Sequence, residues 1–310
     1  MGVWITQNCL EISDKSSDNS VMKQIGYQEI NEEFIDIIVN HSNIKVIQIS
    51  KELPYEAYMK INSILEKRNN LIFRIYGLYG ISHFDISFLK HMSYLYHLRI
   101  DCDLTNRPNA INFNIIKELN VTSLFLDVFD LHDYSFIKEL SNDIEHITIN
   151  ADTMGKAIKF DCKWLLQYEK LHTLWLGKKA KKNLECLSEL SSLTSLSLRG
   201  IKLSSFEFLK QLKLETFELL WNSNRDLLEL KELKTLKQIG LWRINKLESI
   251  DFISELVNLE IMKLKDLKHL KQLPDLRKLT HLKTMVLDNV SIDIEELSVQ
   301  MQQKVEKYWK

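Results

Sequence analysis

Two aspartates, Asp101 and Asp127, are the residues of this sequence best placed for acid–base chemistry. They take equivalent places in successive copies of a repeating leucine pattern, which would stack their carboxylates about 5 Å apart on neighbouring strands. Like charges at that distance raise one of the two pKa values, and an acid beside a base is what general acid–base catalysis needs. The same pair equally suits an arginine of a partner, or water. His97 and His146 also share a column, but two strands, or about 10 Å, separate them. That is too far to share a metal ion without bending. Cys102 lies next to Asp101 with no cation in view to favour its thiolate. The stretch "GKKAKKN" (177–183) reads as an exposed connection or as a contact for phosphate or an acidic protein, without the interleaved aromatics of an RNA module. No Walker loop, dinucleotide glycine fingerprint, zinc-protease H-E-x-x-H or serine-hydrolase elbow is present. The chemistry-bearing residues are therefore isolated, and the expectation is a protein without catalytic residues, metal or cofactor.

Composition narrows the class. The chain has 310 residues, is 45% apolar and 27% charged, and carries a formal net charge of −1. It is long enough for a large core. A balance so near zero argues against a general nucleic-acid or anionic-membrane binder. Four cysteines, Cys9, Cys102, Cys162 and Cys186, form no C-x-x-C pair and read as reduced thiols in a cytosolic protein. "MGVWITQNCLEISDKSS" has neither a basic start nor a continuous apolar stretch, so no secretory leader is expected. Gly2 and Thr6 do match the loose myristoylation pattern. No apolar run approaches the roughly 20 residues that span a bilayer.

What must position these residues is a repeat. "LSSLTSLSLRGIKL" (190–203), "LKTLKQIGLWRINKL" (233–247), "LVNLEIMKLKDLKHL" (256–270) and "LTHLKTMVLDNVSI" (279–292) align on L-x-x-L-x-x-L-x-L. The first residue of the L-x-L pair recurs at Ile47, Phe73, Leu98, Leu124, Ile147, Leu174, Leu196, Phe217, Ile239, Met262 and Met285. The alternation inside each copy is that of a short strand with one buried face.

This pattern resembles the leucine-rich-repeat family, in the 22-residue form of bacterial internalins. The resemblance implies an α/β solenoid, an arc or horseshoe, with a parallel β-sheet on its concave side and short helices on its convex side. It covers 43–290, about ten to eleven repeats, between an N-terminal cap (1–42) and a C-terminal capping helix (291–310). In that helix Leu297, Met301, Val305 and Tyr308/Trp309 share a stripe. "NEEFIDIIVNH" (31–41) and "PYEAYMKINSILEKRN" (54–69) have helical spacing. The family's turn asparagine is matched only by Asn222; Ile201, Ile244, Leu267 and Val290 stand elsewhere, so less regular coils are expected. The export signal and surface anchor of internalins are not matched, which implies a cytoplasmic location.

Register turns the sequence into a surface. Residues between and just after the buried pair face outward. Among them Trp175, Arg199, Glu218, Leu220, Trp221, Trp242, Arg243 and Lys263 fall on neighbouring strands, and Arg74, Arg99 and Phe125 precede them. Tryptophan and arginine dominate binding hot spots, because they present rigid area and planar donors. These eleven residues are the predicted partner-binding set, although a rim tryptophan can also pack locally. Asp101, Asp103 and Asp127 in one half, against Arg199, Lys237, Arg243, Lys263, Lys265 and Lys283 in the other, suggest a dipolar face or a solvated one. The expected function is non-enzymatic binding of another protein, in an adaptor or immunity-type role, by a monomer with no nucleic-acid, membrane or small-molecule partner. The alternative is a secreted effector, or an enzyme whose activity lies in the irregular N-terminal half.

Overall fold

The computed structural model describes residues 8–16, 24–78, 80–155, 157–293, 295 and 297–306. Gly2, Thr6, Tyr308 and Trp309 lie outside the described residues. The chain forms two compact units, Met1–Phe160 and Asp161–Lys310.

The first unit carries strands β1 (Cys9–Ser13), β2 (Gln24–Gly26), β3 (Val46–Ile49), β4 (Ile72–Gly77), β5 (His97–Asp103), β6 (Ser123–Phe129) and β7 (His146–Ala151). Their order is β2-β1-β3-β4-β5-β6-β7, and each pairing is parallel. The second unit carries β8 (Thr173–Lys178), β9 (Ser195–Arg199), β10 (Thr216–Leu220), β11 (Gln238–Trp242), β12 (Ile261–Lys265), β13 (Thr284–Asp288) and β14 (Val305–Glu306) in sequence order. All of its pairings are parallel too. Each unit is a leucine-rich-repeat solenoid: one strand per repeat, stacked so that neighbours bury a core no single repeat could bury alone.

The register is the one the repeat implies. Ile47 pairs with Phe73, Phe73 with Leu98, and Phe217 with Ile239. All eleven anchor residues lie in strands and none is more than 1% exposed, so the alternation decides which face is core. The return segments are short 3-10 turns, such as Ser135–Glu139 and Glu207–Gln211, which press Phe136, Ile137 and Leu209 inward. Longer helices occur in the first unit, α1 (Glu32–Asn40) and α2 (Tyr55–Lys67). Asn31 caps α1 by accepting the Phe34 N–H at 2.9 Å. Tyr58 of α2 stacks on Phe88 and accepts the Leu53 N–H at 2.8 Å.

Both ends differ from the sequence expectation. Residues 1–42 hold α1 but also β1 and β2, which extend the sheet: Leu10 pairs with Ile47. At the other end the helix is one turn, α3 (Val299–Gln302), not a long stripe. The chain then adds β14 beside β13, and the Met285 N–H donates to Lys304 O at 2.8 Å. The open edge of a sheet presents unpaired N–H and C=O groups, and pairing them outweighs continuing the helix.

The coils of the second unit are also more regular than expected. At the end of the strand or just past it the backbone is left-handed at Lys178, Gly200, Trp221, Arg243, Asp266 and Asn289, with φ from 51° to 65°. From there Gly200, Trp221 and Arg243 each donate an N–H to the next coil, to Leu220, Trp242 and Lys265 carbonyls at 2.8 Å. A non-glycine residue there costs about 1 kcal/mol. The repeated coil-to-coil bond offsets it and keeps the coils in step. At Asn222 the amide does act as in the family pattern, donating to Ile201 O at 2.7 Å.

Candidate functional site

On a strand whose alternate residues are core, the residues between them form the outer face. In the second unit, β10 offers Glu218 and Leu220, β11 offers Gly240 and Trp242, β12 offers Lys263 and Lys265, and β13 offers Val286 and Asp288. These residues line an open basin of about 250 Å³. At its floor Gly240 has no side chain, and the Glu218 side chain lies against that position. Glycine inside a strand is unfavourable by about 0.5–1 kcal/mol relative to alanine, and Gly240 has ordinary strand backbone, with no positive φ that would require it.

Trp242 forms one wall, and its orientation is fixed by Asp266. The indole Nε1–H donates to Asp266 Oδ2 at 2.9 Å. Arg243 donates to the same oxygen at 3.1 Å, and Asn289 Nδ2 donates to Oδ1 at 2.6 Å. These donors, Asn289 first and Trp242 next, hold the Asp266 carboxyl below its ordinary value and keep it an acceptor. The Lys265 ammonium lies 5.1 Å from the Trp242 ring and pairs with Asp288 at 2.8 Å. Glu218 accepts from Ser197 Oγ at 3.1 Å and Gln238 Nε2 at 3.4 Å; Lys263 reaches it at 4.0 Å.

Beside the basin, Trp221 is 38% exposed, and both Arg199 (3.9 Å) and Arg243 (5.3 Å) approach its ring. The structure thus joins Arg199, Glu218, Leu220, Trp221, Trp242, Arg243 and Lys263 into one continuous patch. Trp175 pairs with Ser197 on the adjoining strand and is half-buried.

The predicted residues of the first unit form a different arrangement. Arg74 and Arg99 both bond Asp101, and Arg74 also donates to Gln48 Oε1 at 3.2 Å and stacks on Tyr76. Gln48 continues to Glu11 at 3.2 Å. Phe125 packs on His146, with ring centroids 4.4 Å apart. Asp101 does pair in register with Asp127, but its charge is compensated by the two guanidinium groups, and Asp127 accepts from Asn150 at 2.6 Å. The acid–base pairing considered above is therefore replaced by separate structural contacts. Burial pushes the Cys102 thiol up to about 12, so it stays protonated at neutral pH.

The suggested segregation of charge between the halves also dissolves into local pairs. Lys237 meets Glu215, Lys283 meets Glu260 and Arg243 meets Asp266. "GKKAKKN" is a tied turn rather than a loose one: Lys182 and Asn183 both hold Asp161, and Ala180 is fully buried. Among the described residues, no group of three or more His, Cys, Asp or Glu side chains could hold a metal ion, and no helix is long and apolar enough to cross a membrane.

Two contributors were not singled out by sequence reasoning, Asp266 and Gly240. For Asp266 a signal existed: glycine, aspartate and asparagine recur in the column just past the strand, at Gly200, Asp266 and Asn289, the residues most tolerant of left-handed backbone.

No protein-family model and no curated protein matches this sequence. Among solved structures it is similar to internalin F of Listeria monocytogenes, at 18% identity over 88% of this chain and 83% of that one, TM-score 0.49. It is also similar to internalin C2 of the same species, at 21% identity over 57% and 74%, TM-score 0.43. A third similar structure is TLR13 in its complex with ssRNA13, at 16% identity over 92% and 46%, TM-score 0.47. At these identities and scores nothing about a partner is carried over.

Proposed function

We propose that this chain is a non-enzymatic binding module, of adaptor or immunity type, that takes another protein on the outer sheet face of its Asp161–Lys310 unit. The observation that carries this reading is Trp242, turned away from the core and clamped by Asp266 at the edge of an open basin. An amphipathic anchor held rigid before binding avoids the cost of ordering it afterwards, and tryptophan with arginine is the usual composition of an energetic centre. Trp221 with Arg199 and Arg243 extends the patch. In the first unit, Asp101, Asp127 and Cys102 are each engaged or protonated as described, so nothing favours the enzymatic alternative among the described residues.

The test is affinity capture with the full chain as bait, wild type against Trp242→Ala, Arg243→Ala and Trp175→Ala. The expected outcome is a specific protein partner whose retention falls about tenfold or more with Trp242→Ala, about 1.4 kcal/mol or greater, while the melting temperature falls by no more than about 4 °C. Equal capture by all four baits would refute the reading.

A further inference from the structure

We infer that the basin over Gly240 receives one large apolar side chain of the partner, with an acidic residue next to it on the partner's chain; this deepens the protein-binding reading and rests on it. The first observation is Gly240 itself. A Cβ there would stand 3.0 Å from Glu218 Cγ and 3.5 Å from Glu218 Cβ, so Glu218, itself held by Ser197 and Gln238, would have to give way by a few tenths of an ångström. The backbone does not demand a glycine, and on the outer face only the Glu218 side chain crowds the position. What its missing side chain provides is space, and a glycine inside a strand often marks close approach by a ligand or another backbone.

The walls say what fits. Leu220, Trp242 and Val286 are apolar, and the Asp266 bond sets the Trp242 wall in advance. A dry cavity of about 150 Å³ holds benzene, so an aromatic ring or a branched aliphatic chain fits in about 250 Å³.

Charge says what stands beside it. Lys265 is committed to Asp288 at 2.8 Å. Lys263 reaches Glu218 only at 4.0 Å, while that carboxylate already takes Ser197 and Gln238. The Lys263 ammonium is the least engaged charge lining the basin, and a complementary partner places a carboxylate against it.

The experiment uses full-chain protein and two blocked dipeptides at millimolar concentration, acetyl-Phe-Asp-amide and acetyl-Phe-Lys-amide. Binding is read from the Trp242 indole N–H resonance. The expected result is a shift with the Phe-Asp probe, several-fold weaker binding of the Phe-Lys probe, and loss of both in Gly240→Val. Gly240→Ala, which adds only the Cβ, gives an intermediate loss and covers the case of a valine variant that misfolds. Absence of the shift with Phe-Asp, or equal binding of the two probes, would overturn the inference. The capture assay separates it from the broader reading. Capture lost in both Trp242→Ala and Gly240→Val supports both. Capture lost only in Trp242→Ala overturns the basin and leaves the protein-binding face standing, and capture kept in both overturns both.

Discussion

Leu241→Ala is expected to lower the free energy of unfolding by about 2–5 kcal/mol, whereas Trp242→Ala, one residue further along the same strand, costs about 1 kcal/mol. Side-chain size alone predicts the opposite order, since tryptophan is the larger apolar group. Leu241 is fully buried, between Leu219 and Leu264 on the flanking strands. Truncating it leaves a cavity that a stacked solenoid cannot collapse, because the neighbouring coils fix the walls. Trp242 is half-buried on the other face, so alanine there removes one hydrogen bond to Asp266 and a cation contact with Lys265. Asp266 keeps Arg243 and Asn289 as donors. Urea unfolding of the two variants, with equal m-values, checks the order. A loss from Trp242→Ala equal to that from Leu241→Ala would mean that the indole is core.

Asp101→Ala carries the second large effect, a loss of about 2–3 kcal/mol. Asp101 is outward by register yet only 6% exposed, because Arg74 and Arg99 close over it. Removing the carboxylate leaves two guanidinium groups facing each other without their shared acceptor. Breaking a fully buried pair costs about 3–5 kcal/mol. Arg99 is 37% exposed in its side chain, so solvent screens part of that and the lower figure applies. The double change Asp101→Leu with Arg74→Met is expected to recover much of the loss, since apolar groups of similar volume can replace a buried pair. A change under about 0.5 kcal/mol for Asp101→Ala would mark the cluster as an ordinary surface pair.

The fold was legible because the pattern is repeated. One strand of five residues is a weak signal, but eleven anchors at similar spacing fix both register and face, and each lies where the repeat puts it. β1 escaped notice because Leu10 stands far from Ile47 compared with the other intervals, although the two pair directly. The helix expected over 291–310 is cut to Val299–Gln302 for another reason. The spacing of Leu297, Met301 and Val305 suits a helix, but the free edge of β13 competes for the same backbone and takes Val305 into β14, and a local pattern carries no information about that edge. The outward position of Trp242 follows from register, whereas its clamp does not. Asp266 reaches the indole from the next coil, and which donors an aspartate meets there is settled by side-chain conformations across coils. The apparent charge segregation failed similarly. Lys237, Arg243 and Lys283 were counted by half of the chain, but each finds a carboxylate one coil away. Register also turns Gly240 outward, but a glycine in that column becomes part of a basin only through Glu218, Lys263 and Trp242 around it.

The most direct measurement of the central claim is hydroxyl-radical footprinting of the chain alone and bound to its captured partner. Binding on the outer sheet face protects Trp242, Leu220 and Trp221, and leaves Leu228 and Val257, exposed in and just after the return turns, reacting as before. Protection of Leu228 and Val257 with Trp242 unchanged would contradict the claim and put the partner on the turns instead of the sheet.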